Sequence, residues 1–93
     1  MRIAAVTIQL YAPWVHSLKE KRAEVKSLLA RIHNKFNVSA AEVAEQDTHQ
    51  TIVLGIAAVA ANAGQADSIL DHVLAFIEAN TQAEATGITR EII

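Results

Sequence analysis

The first eleven residues alternate. Ala4, Val6, Ile8 and Leu10 fall on one side of an extended chain, and Ile3, Ala5, Thr7, Gln9 and Tyr11 on the other. Period two with β-branched residues predicts a strand over 1–11, which Pro13 closes because it has no N–H to give a ladder. Ser17-Leu18-Lys19-Glu20 has the form of a capping box, in which the Ser17 hydroxyl accepts from the Glu20 amide and the Glu20 carboxylate reaches back to that of Ser17. Leu18, Val25, Leu28, Leu29, Ile32 and Phe36 follow at helical spacing, which predicts a helix over 18–35. Residues 37–46 read as a strand diluted by Ser39, Glu42 and Glu45. Asp47-Thr48-His49 makes a turn, and 51–60 is a strongly apolar strand. A second capping pattern, Asn62-Ala63-Gly64-Gln65, opens a helix with Ala66, Ile69, Leu70, Val73, Phe76 and Ile77 inward, ending near Asn80. A last strand runs over 83–93.

The order β-α-β-β-α-β predicts an α+β, ferredoxin-like sandwich: a four-stranded antiparallel sheet in order 4-1-3-2 with two helices on one face. No linker or repeat divides the chain, so 1–93 reads as a single domain. The strands assigned to the centre are the apolar ones. Those assigned to the edges carry the charges that discourage pairing with other chains.

Composition narrows the chemistry. The chain is 52% hydrophobic but only 4% aromatic, 18 of its 93 residues are Ala, and it has no Cys. The absence of Cys excludes a disulfide framework, a thiolate-ligated zinc and a thiol nucleophile. Asp47 and His49 share a turn and Asp71-His72 lies on the second helix, but neither pair has a third ligand at metal-binding spacing. The loop 12–14 has no glycine to cradle a phosphate, and Ser17 is better used as a cap than as a nucleophile. These residues predict no metal, no cofactor and no enzyme. No apolar run approaches the roughly 20 residues a membrane helix needs, so the expectation is a cytoplasmic protein away from the membrane.

A formal net charge of −2 conceals an asymmetry. Residues 16–36 hold six cations against two carboxylates, a local +4, and the remainder holds two against eight, a local −6. Advancing about 100° per residue, Lys19, Arg22, Lys26 and His33 gather on one shoulder of the apolar stripe and Lys21 takes the other. Glu20, Glu24, Arg31 and Lys35 mix on the solvent side. One reading is a solvated helix whose long stems cover the core edge. The functional reading is a one-signed stripe for phosphates or an acidic partner, able to hold a backbone but not to read DNA sequence. Base stacking on the sheet is disfavoured, because the central strands offer only Tyr11 at one end. Trp14, alone before the basic helix, either lids the core or faces a partner.

The third strand is apolar on both alternations. Its second set, Val53, Gly55, Ala57 and Val59, would lie bare beside Thr7 and Gln9 on the face away from the helices. Such a face suggests a homodimer formed sheet to sheet.

Ser17-Leu18-Lys19-Glu20-Lys21-Arg22, Phe36-Asn37-Val38-Ser39 with Ala41-Glu42-Val43, Gln46-Asp47 and Val53-Leu54-Gly55 together resemble the YlxP-like family of bacterial, ferredoxin-like domains of unknown function. His49 departs from it, standing where a larger aromatic is expected. The genes of that family often neighbour those for ribosome-binding factor A and other translation factors, which implies a ribosome- or RNA-linked accessory role. The positions matching the family motif in the basic helix are Lys19, Lys21 and Arg22. The leading expectation is therefore a non-catalytic binding protein. Lys19, Lys21, Arg22 and Lys26, with His33 and Trp14, would meet RNA phosphates or a ribosomal protein. A homodimer through the sheet face is the alternative, and a small-molecule-binding regulatory domain the third.

Overall fold

The structure is a computed structural model and describes all 93 residues. Its elements are β1 (Arg2–Tyr11), α1 (Leu18–Lys35), β2 (Ser39–Ala44), β3 (Thr51–Ala60), α2 (Ala63–Asn80) and β4 (Glu84–Ile92). All pairings are antiparallel in the order β2-β3-β1-β4, the expected arrangement read from the other edge. β1 and β3 pair without a register break from Arg2↔Ala60 to Tyr11↔Thr51, so the two apolar strands are both central.

Period two then sorts the side chains. Val6, Ile8 and Leu10 of β1 and Ile52, Leu54 and Ile56 of β3 form the inner face and join one core with both helices. From α1 come Val25, Leu28 and Ile32; from α2 come Ala66, Leu70, Val73 and Ile77. Phe36 and Phe76 meet edge to face at the helix ends, with centroids 5.4 Å apart and planes at 89°, a favoured aromatic geometry.

Both helices start as the capping patterns require. Glu20 N–H donates to Ser17 Oγ at 3.1 Å and Gln65 N–H to Asn62 Oδ1 at 2.9 Å. The reciprocal arm reaches one residue earlier than expected in each case. Glu20 Oε2 accepts from His16 N–H at 3.4 Å, and Gln65 Oε1 accepts from Ala61 N–H at 2.5 Å. Each long side chain thus satisfies the amide preceding the cap and fixes how the chain enters the helix.

β2 is shorter than the sequence pattern suggests. Its pairing with β3 shifts between Glu42 and Ala44, and Glu45 ends it in the left-handed region at φ 56°. The bulge leaves Val43 unpaired and swings its side chain over Gly55, where a Cβ would lie 2.9 Å from Val43 Cγ1. Gly55 is therefore required by a close approach. Gly55→Val should cost about 1–3 kcal/mol as overpacking, and adding Val43→Ala should recover most of it, read as thermal unfolding of the single and double variants.

Candidate functional site

The eight Lys and Arg residues divide into two groups. Arg2 Nε donates to the Ile93 carbonyl at 3.1 Å. Arg90 spans from β4 to α2, with contacts of 2.6 Å to Asp71 and 3.1 Å to Asp67. The hydrogen bond to Asp71 is the main reason its guanidinium is held above its ordinary pKa, with the charges of Asp71 and Asp67 adding to it against some desolvation. Arg31 donates to the Asn80 carbonyl at 2.7 Å and to Ser27 Oγ at 3.0 Å, tying α1 to the end of α2.

Lys21 is the fourth cation already engaged, and it corrects the sequence reading. It does not stand on a shoulder of α1; it lies in the buried stripe with Val25, Leu28 and Ile32 and is only 1% exposed. Its ammonium sits 3.0 Å from Glu42 Oε2 of β2 and donates a hydrogen bond to the Glu45 carbonyl. A phosphate cannot reach it. The spacing carried the signal, since position 21 precedes Val25 by four residues and Leu28 by seven. The charge masked it, because Lys is almost never fully buried unless paired.

The remaining cations, Lys19, Arg22, Lys26 and Lys35, are all on α1, all exposed, and none has a carboxylate within 4.0 Å. At 3.6 residues per turn, Lys19, Arg22, Lys26 and His33 fall within an arc of about 60°. Arg22, Lys26 and His33 border a groove of about 490 Å³ between α1 and β2, floored by Val25, Leu29 and Ala30 and closed by Glu42. Lys21 Nζ is 3.0 Å from that carboxylate, so the one acid lining the groove is paired with a buried ammonium.

Trp14 is not part of this row. It is partly exposed and borders a separate hollow of about 390 Å³ with Glu24, Arg31 and residues 79–82 at the end of α2. Glu24 and Arg31 lie on the opposite side of α1 from Arg22 and Lys26, roughly half a turn of the helix away. The loop carrying Trp14 is anchored at both ends. Ala12 and Val15 are buried, and Gln50 Nε2 donates to the Pro13 carbonyl at 2.9 Å and the Val15 carbonyl at 3.3 Å.

The outer face of the sheet is also partly as expected. Thr7, Gln9 and Val59 are exposed, Val59 at 66%, while Gly55 and Ala57 are half-buried. Val53 is the exception at 7% exposed. It lies between Gln9 on β1 and the bulged end of β2; a period-two pattern cannot foresee that cover, because the bulge is a property of the pairing.

Comparison with known proteins follows this geometry. The family model described as "Protein of unknown function (DUF503)" matches residues 3–90. The chain belongs to this family. A relative within reach of direct alignment is the uncharacterised protein YlxP of Bacillus subtilis (strain 168), 51% identical over 74 residues that cover 80% of this chain and 79% of that one. Among solved structures, the solution NMR structure of a de novo designed protein with ferredoxin fold superposes with a TM-score of 0.61 at 21% identity, covering 99% of this chain and 85% of the design. That likeness shows the fold, and a fold does not specify a function. No helix here is long and apolar enough to cross a membrane.

Proposed function

We propose that this DUF503 member is a non-catalytic RNA-binding accessory protein that holds phosphates with the exposed row of α1. One observation carries the reading. In a protein of net charge −2, every cation outside α1 is hydrogen-bonded to another part of the chain, and the unpaired ones are all on that helix. Lys19, Arg22 and Lys26 present one sign along about 10 Å of helix, at 1.5 Å per residue, and His33 extends the same row two turns further. Glu20 and Glu24 project from the far side.

A row of this kind contacts the backbone and leaves the base edges unread, so the favoured target is structured RNA recognised by shape. The sheet does not compete for the role, since Tyr11 is its only aromatic and sits at one end of β1. The translation-linked gene neighbourhood of YlxP-like proteins supports RNA over DNA by association.

Binding of ribosomal RNA fragments, followed by fluorescence anisotropy across a salt series, tests the proposal. Three phosphate contacts predict a log–log salt slope of about −2 to −3, and Arg22→Ala with Lys26→Ala should flatten it by about 1.5. The same double variant should keep its melting temperature, because both side chains are exposed and unpaired. RNA affinity that is unchanged in the double variant overturns the assignment.

A further inference from the structure

We infer that the outer face of the sheet is the interface of a homodimer, in which two copies pack sheet against sheet about a twofold axis parallel to the strands. The face suits an uncharged protein surface. Its centre holds Ala5, Thr7, Gly55 and Ala57, and its only charges are Glu84 and Glu91 on edge strand β4. Charged residues are depleted at interface cores, and small side chains allow sheets to approach to about 10 Å.

The size is sufficient. Strands of 10, 6, 10 and 9 residues cover about 550 Å² at roughly 3.3 by 4.8 Å per residue. Two such faces bury about 1,100 Å², just above the roughly 1,000 Å² expected of a specific interface.

Charge selects the axis. A twofold axis across the strands would lay β4 on β4 and bring acid against acid. An axis along the strands lays β4 of one copy on β2 of the other and reverses each cross-strand row. The row Ser39–Ala57–Ala5–Glu91 then meets itself with Ser39 opposite the partner's Glu91 and Ala57 opposite the partner's Ala5. In the next row, Ala41–Gly55–Thr7–Thr89, Thr7 faces the space above Gly55. At the bulged end, Val43 faces Gly87, which lies beside Gln9 on β4. In these rows Thr7 meets the space above Gly55, Thr89 meets Ala41 and the carboxylate meets a hydroxyl donor, while Gln9 comes to lie on the partner's Val53. The surface is complementary to itself, and a second copy is the partner it fits.

Within one chain, Ser39 and Glu91 lie at opposite edges of the sheet, three strand spacings or about 14 Å apart, so a charge exchange between them reports on the dimer and not on the fold. Sedimentation velocity from low micromolar to submillimolar concentration is the test. The unmodified chain should shift from monomer to dimer. Thr7→Arg, at the exposed centre of the face, should abolish the shift. Ser39→Glu should weaken the dimer about tenfold or more by setting acid against acid, and adding Glu91→Lys should restore it. Arg22→Ala with Lys26→Ala should leave the dimer intact, because α1 lies on the other face of the sheet. A chain that stays monomeric at submillimolar concentration overturns the inference. So does a dimer indifferent to Thr7→Arg. A dimer that Thr7→Arg disrupts but Glu91→Lys does not repair overturns the assigned axis.

Discussion

Lys21→Ala is expected to destabilise the domain by about 3–5 kcal/mol, the cost of breaking a buried ion pair by removing one partner. Three losses combine. The Glu42 carboxylate, whose side chain is 17% exposed, loses the ammonium 3.0 Å away. The Glu45 carbonyl loses its donor at the point where the chain turns into the left-handed region. The four-carbon stem leaves a void in the stripe shared with Val25 and Leu28. At roughly 4–8 °C per kcal/mol for a domain of this size, the melting temperature should fall by at least about 12 °C. Lys21→Met with Glu42→Leu should recover most of the loss, because replacing a buried pair by apolar groups of similar volume is often neutral. Urea unfolding of the single and double variants checks both. A drop under about 1 kcal/mol for Lys21→Ala would show that the contact contributes little.

Ile8→Ala has the second largest expected effect, a loss of about 2–5 kcal/mol for transfer and cavity together. Ile8 is 0% exposed at the middle of β1, directly between Leu54 on β3 and Ile88 on β4. Ile88 points to the same inner face but lies on the edge strand and is 45% exposed. Ile88→Ala should cost less than about 1 kcal/mol, since it removes little buried surface and opens no enclosed cavity. The pair compares one residue type in one cross-strand row, so denaturant unfolding of the two variants separates burial from strand propensity. Equal losses would contradict the layered core.

The two effects differ in how visible they are along the chain. Ile8 declares itself through alternation with Val6 and Leu10, and the helix over 18–35 through its apolar spacing and the Ser17 cap. Strand order follows from the same residues, because the strands rich in Val, Ile and Leu must be covered on the side facing the helices. The exposed row Lys19, Arg22, Lys26 and His33 was legible too, since angular position on a helix is a local property. Lys21 was not, although its spacing matched the stripe. A lysine belongs inside only if a carboxylate and a carbonyl wait for it, and Glu42 and Glu45 come from a strand more than twenty residues later.

Val53 and Trp14 repeat the lesson on a smaller scale. Alternation placed Val53 on the outer face correctly, but its cover depends on the bulge between Glu42 and Ala44. Sequence proximity set Trp14 before the basic helix, yet the fold turns it toward the end of α2, away from Arg22 and Lys26.

Local periodicity and caps therefore account for the elements, their order in the sheet and the positive face of α1, because each depends on interactions within a few residues. Which cations are free, which small residues lie bare and which carboxylate is paired came from packing. Those properties belong to pairs of residues far apart in the chain, and a charge or a methyl group is accessible only relative to what the fold sets against it.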